Sequence, residues 1–275
     1  VSMWVGGICY EHTHRRVASG VGLMTGVLAV WIWVVESRRW MRWLGLSAAL
    51  AVVLQGVLGG LRVVAMQARL GVVHATLAQL FLVLVSLLAL YLSRWWMGRW
   101  DVAEAICVPR WRVHLYGTVT GLILLQLILG ALMRHQHAGL AIPDFPAAYG
   151  RLWPATDAAS ISRYNQLRME ATDLNPITAG GVWLQMAHRA TAGLILFGVA
   201  GLAWSAMRHW GWRQRLARIS FGWLGLIGCQ VALGAATIWT NKPADITTAH
   251  VAVRSLSLVN GAVLARTEQA LRRME

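Results

Sequence analysis

Long apolar runs alternate with short polar breaks along the whole chain. The runs cover 17–36, 43–62, 70–93, 112–134, 183–206, 219–239 and 248–266. Each lies near the roughly 20 residues that a helix needs to cross the hydrocarbon layer of a bilayer. The pattern predicts an all-α polytopic membrane protein with seven spans. One break differs from the others. Residues 134–182 form a polar segment holding four of the six prolines, and its length marks it as functional or lid-like rather than a simple connection.

Composition sharpens this picture. Of 275 residues, 57% are hydrophobic and 13% charged, too apolar a balance for an ordinary soluble domain. The net charge of +14 does not point to nucleic acid, because the arginines are dispersed among inter-helix breaks instead of forming one stripe. Lipid headgroups and anionic ligands are the partners it suggests. Cys9, Cys107 and Cys229 are too scattered for a zinc site or an intrachain disulfide. The chain starts at Val1 with no cleavable signal pattern.

Arginines gather at 38–42, 94–112, 208–218 and 266–273, which alternation of the spans puts on one side. Basic residues mark the cytoplasmic side. The N-terminus and the 134–182 segment are therefore expected outside the cell (inner) membrane, and the C-terminus in the cytoplasm.

The chain also repeats itself. His14-Arg15 opens the first span and His188-Arg189 the fifth; His74 and His250 stand early in the third and seventh. The histidine separations are 60 and 62 residues. Q-G-V-L-G-G (55–60), Q-L-I-L-G-A (126–131) and Q-V-A-L-G-A (230–235) mark the second, fourth and sixth spans. Residues 14–93 and 188–266 thus read as two copies of a three-span unit. The fourth span precedes the second copy, so symmetry predicts a matching span before residue 1. The expected architecture is two pseudo-symmetric four-helix bundles, with seven of eight helices in this chain. Residues 1–93 form the N-terminal bundle, 94–111 a cytoplasmic linker and 112–275 the C-terminal bundle.

His14, His74, His188 and His250 all fall within about a turn of the outer end of a span. Two imidazoles on facing helices suit a haem, whose iron takes two axial ligands and whose ring fills an apolar bundle. Arg15, Arg16, Arg189 and Arg254 are candidates for its propionates, since guanidinium grips carboxylate in a forked geometry. Headgroup anchoring is the plainer role for the same arginines. The copies differ at one point: Glu11 stands three residues before His14, and Gln185 three before His188. A carboxylate at a membrane edge is costly unless paired or used. Glu11 either pairs with Arg15 or serves chemistry in the first copy, while the second copy carries electrons.

E-H-T-H-R at 11–15, H-A-T-L-A-Q from His74, G-A-L-M-R-H-Q-H-A-G-L-A-I-P-D-F-P at 130–146, Q-M-A-H-R from Gln185 and T-T-A-H-V-A-V-R from Thr247 together resemble haem A synthase over nearly the whole chain. The resemblance implies oxidation of the C8 methyl of haem O to a formyl group, giving haem A for cytochrome oxidase. It implies His14 and His74 at the substrate haem, His188 and His250 as axial ligands of a permanent haem b, and Glu11 in catalysis. Haem O synthase and cytochrome oxidase subunit I are the protein partners it suggests, with self-association left open. Cys9 lacks the outer cysteine partner that many members carry, and I-P-D-F-P stands where C-P-D-W-P is common. A dihaem b-type electron-transfer protein and a haem-delivery factor share the same four histidines and remain as alternatives.

Overall fold

A computed structural model describes residues 7–65, 67–97, 108–169 and 176–272. The described residues are overwhelmingly helical: α1 (Gly7–Val35), α2 (Arg39–Ala65), α3 (Ala68–Leu92), α4 (Arg94–Met97), α5 (Arg110–His135), α6 (Ala158–Met169), α7 (Ala179–Trp210), α8 (Arg215–Trp239) and α9 (Ala244–Arg272). Polar or glycine-bearing breaks end each long helix, as at Gly211, whose φ of 73° lies in the left-handed region that favours glycine.

Among the described residues six helices are long and apolar enough to cross a membrane: α1, α2, α3, α5, α7 and α8. Their outer faces carry exposed apolar side chains such as Leu23, Met24, Leu194 and Phe197, a surface that lipid covers. The protein is a multi-pass membrane protein. The seventh expected span, 248–266, lies inside α9, which is 29 residues long but not among those six. Within 248–266 the polar His250, Arg254, Ser255, Ser257 and Asn260 lower the hydropathy, and Arg254 and Ser257 among them are buried on the inner face.

The chain divides into two compact units, Val1–Asp101 and Val102–Glu275. In the first, α1 packs on α2 and α2 on α3. Its core of Ile32, Met41, Ala48, Leu88 and Tyr91 gathers near the α1–α2 turn. There Arg38 forks onto Glu36 at 2.6 and 2.9 Å. This end lies at the opposite extremes of α1 and α3 from His14 and His74.

In the second unit α5 packs on α7 and α9, and α8 packs on the same two, closing a four-helix ring. At one end Arg112 of α5 and Glu268 of α9 form a fully buried ion pair at 2.5 Å. The next layer holds Tyr116 stacked on Trp223, and a Tyr116–Ser220 hydrogen bond at 2.8 Å. Gly261 is required here: a Cβ would stand 2.6 Å from Thr120 Oγ1 and 2.7 Å from Trp223.

The 134–182 segment is more structured than its polar sequence suggests. It contains α6 and its own apolar cluster of Ala141, Ile142, Ala148, Tyr164 and Ile177, closed by Val182 and Met186 of α7.

Candidate functional site

In the second unit, α7 is preceded by Thr178, whose hydroxyl accepts from the Gly181 amide at 3.0 Å and caps the helix. The first turns of α7 then carry Gln185, His188 and Arg189. Three helices converge at Gly130 of α5. A Cβ there would stand 3.4 Å from His188 Cε1 and would overlap Arg254 Nη1 of α9. Gln126, one turn earlier on α5, donates from Nε2 to the His188 carbonyl at 2.9 Å. On α8, Gly234 leaves a gap filled by His250, with Cε1 3.3 Å from the Cβ that glycine lacks. Gln230 Nε2 lies 3.2 Å from His250 Nε2. His188 is within electrostatic reach of both His250 and Arg254.

The loop after α5 straps across the start of α7. Gln185 Oε1 accepts from the Ile142 amide at 2.7 Å, while its Nε2 donates to Ile142 O and Gly139 O at 3.3 and 3.4 Å. Arg189 donates to Ala147 O at 2.7 Å and Asp144 O at 2.6 Å, and lies over the Phe145 ring at 5.5 Å. Both terminal nitrogens of Arg189 thus hold the loop. The Asp144 carboxylate accepts the amides of Tyr149 and Gly150, and the Tyr149 hydroxyl donates to Ala141 O at 2.6 Å. Burial, and then the stacked Tyr164 and nearby Asp144, push the Tyr149 phenol up to about 12.

In the first unit, Glu11 and Arg15 meet at 2.5 Å on the exposed early turns of α1. Because α1 begins at Gly7, ten residues before the expected span, Glu11 and His14 lie on one helix face. Arg16 is on the same exposed stretch. His74 of α3 is half-buried, and its Cε1 stands 3.4 Å from the missing Cβ of Gly59 on α2. Gln55 donates to the His74 carbonyl at 3.1 Å. His14 and Arg62 are within electrostatic reach of His74.

The unpartnered buried atoms define what this arrangement is shaped for. Nδ1 of His74, His188 and His250 and Nε of Arg254 are buried without a hydrogen bond. Among the described residues Arg254 has no ion-pair partner, although it is buried. An uncompensated buried cation costs several kcal/mol, so its surroundings favour an anionic ligand. No cluster of three or more His, Cys, Asp or Glu suited to a bare metal ion occurs among the described residues. Paired imidazoles beside a buried guanidinium in an apolar bundle fit a haem with its carboxylates.

Sequence patterns alone left Gln55, Gln126, Gln230 and their following glycines as markers of the repeat. Their contacts with three of the four histidines are structural findings. Arg62 was likewise not singled out. The recurrence of glutamine one turn before glycine was the available signal.

The sequence matches the family described as cytochrome oxidase assembly protein, COX15-CtaA, over residues 7–260. It is 28% identical over 247 residues to "Heme A synthase" of Geobacillus kaustophilus, covering 87% of this chain and 69% of that protein. It is 25% identical over 249 residues to the "Heme A synthase" of Bacillus cereus, and 26% to that of Bacillus mycoides, each covering 87% of this chain and 70% of the relative.

Proposed function

The chain belongs to the cytochrome oxidase assembly protein family, and from that membership we propose that it is a haem A synthase, a membrane oxidoreductase that converts the C8 methyl of haem O to a formyl group. The observation that carries this proposal is the meeting of His188 and Arg254 at Gly130, with His250 against Gly234 in the same unit and His74 against Gly59 in the first. The names of the relatives agree with it.

His14 and His74 hold the substrate haem in the first unit, residues 1–93. His188 and His250 hold a resident haem b in the second, residues 112–275, with 94–111 linking them. That haem, when bound, supplies one-electron redox chemistry. The protein's own groups do the rest. The packed ring of α5, α7, α8 and α9 half-buries His188 and His250 and limits water there. Arg254 offers its buried guanidinium to a propionate. Arg15 and Arg16 stand beside His14 for the same purpose in the first unit. Arg189 acts indirectly, by fastening the 142–147 loop over the start of α7.

Glu11 is the proton-handling group. It lies one turn before His14 and is held by Arg15, so it is placed to hold or accept a proton beside the substrate haem's methyl group. The corresponding Gln185 cannot do this, since its amide is committed to the loop backbone. The histidine end faces the outside of the inner membrane and α9 ends in the cytoplasm. Haem O synthase and cytochrome oxidase subunit I are the protein partners in this scheme.

Co-expression with a haem O source, followed by pigment extraction, tests the proposal. Formyl-haem is the expected product. Bound haem without formyl-haem would instead indicate an electron carrier or a haem-delivery factor.

A further inference from the structure

The sequence Q-x-x-x-G occurs late in α2, α5 and α8, and each occurrence meets a histidine of a facing helix. Gln55 and Gly59 meet His74, Gln126 and Gly130 meet His188, and Gln230 and Gly234 meet His250. The glycine contacts are alike in kind. The glycine faces imidazole Cε1, which lies 3.3–3.4 Å from where a Cβ would be. That spacing is tight enough that alanine would press on the ring. The glutamine amide reaches the histidine carbonyl in two cases, at 3.1 and 2.9 Å, and the ring nitrogen in the third, at 3.2 Å.

We infer that Q-x-x-x-G is a histidine-positioning element, in which the glutamine fixes the histidine against the facing helix and the glycine leaves the space its ring occupies. The inference rests on the haem assignment proposed above. In an α-helix each carbonyl already accepts from the amide four residues on. A side-chain donor added to the histidine carbonyl therefore sets the sliding and rotation of one helix against another. Packing small residues alone does not do this.

The unpartnered atoms extend the idea. Each element leaves the glutamine Oε1 buried without a donor, and each facing histidine leaves Nδ1 buried without a partner. A neutral imidazole that gives Nε2 to iron carries its proton on Nδ1, and that proton needs an acceptor. The Oε1 atoms of Gln55 and Gln126 are the unpartnered acceptors belonging to the same elements as His74 and His188, whereas Gln230 meets His250 at Nε2 and would have to release that nitrogen to iron. These residues are positioning residues, acting on the haem through the histidine.

The test uses the full chain, purified with haem, and compares Gln126→Met, Gly130→Ala and Tyr116→Phe. Gln126→Met keeps the volume and removes the amide. Gly130→Ala crowds the His188 ring and also displaces Arg254. Tyr116→Phe removes a buried hydrogen bond at the far end of the same unit and controls for general loosening. The readouts are the ferric low-spin paramagnetic resonance signal, which reports imidazole orientation, and the rate of haem loss. Gln126→Met is expected to shift the signal and speed haem loss about tenfold, with Tyr116→Phe leaving the signal in place. Should Gly130→Ala fail to fold, Gln126→Met still decides. A wild-type signal and retention in Gln126→Met would overturn the inference while leaving the haem assignment standing. A wild-type protein without low-spin haem would overturn both.

Discussion

The Gln185 side chain accepts from the Ile142 amide at 2.7 Å and donates back to the Ile142 carbonyl at 3.3 Å, so one buried amide grips one loop residue from both sides. Glu11 occupies the equivalent place in the first repeat and faces Arg15 instead. The same position therefore serves a loop in one copy and a titratable group in the other.

Replacing Gln185 by Leu strands the Ile142 amide and two carbonyl contacts. A buried donor left unsatisfied costs about 1–3 kcal/mol. The expected results are a lower melting temperature and faster proteolysis within 139–150. Gln185→Glu keeps the acceptor but loses the donations, and is expected to loosen the same loop. Unchanged cleavage in both variants would show that the loop is held by Arg189 and Tyr149 alone.

The Arg112–Glu268 pair is almost fully buried, with exposures of 1% and 0%. Removing one partner leaves a charge in an apolar bundle and is expected to cost about 3–5 kcal/mol, whereas an apolar double replacement is expected to be near neutral. Thermal unfolding in detergent of Arg112→Met, Glu268→Leu and the double variant measures the difference.

At the α1–α2 turn, hydrogen bonds from the Arg38 side chain and backbone hold the Glu36 carboxyl down at about 2, against an ordinary 4.5. An acid with a depressed folded value binds fewer protons folded than unfolded. Its stabilisation is present above about 4.5 and is lost as pH falls towards 2. Glu36→Gln is expected to lack that part of the acid sensitivity, which a melting series from pH 7 to pH 3 would reveal as converging wild-type and variant curves.

Glu11→Ala is expected to lower formyl-haem yield by about a hundredfold or more, the scale of a lost proton-transfer group. The haem spectrum contributed by His188 and His250 is expected to stay intact. Loss of both signals together would assign Glu11 to folding instead of chemistry.

Much of this was legible from the chain alone. Apolar runs of membrane-spanning length located the long helices, and the spacing of His14, His74, His188 and His250 exposed the repeat. A run located α9 as well, although the inward burial of Arg254 and Glu268 is something a linear hydropathy pattern cannot see. The 134–182 segment hid a helix and an apolar cluster, since its hydrophobic residues are spaced too far apart in sequence to form a run. Arg189 was expected beside a propionate, and its terminal nitrogens instead meet loop carbonyls some forty residues earlier. Contacts of that range follow from three-dimensional packing and leave no local pattern. Gly130 shows the same limit: its sequence reads as helix packing, and only the fold brings His188 and Arg254 to it.

The central claim is that paired imidazoles hold haem in each unit, and the reduced-minus-oxidised absorption spectrum of the purified protein tests it most directly. Wild-type protein is expected to show low-spin bis-imidazole haem, and His250→Ala to lose the contribution of the second unit. A colourless protein from haem-supplied cells, or a spectrum that His188→Ala and His250→Ala leave untouched, would contradict it.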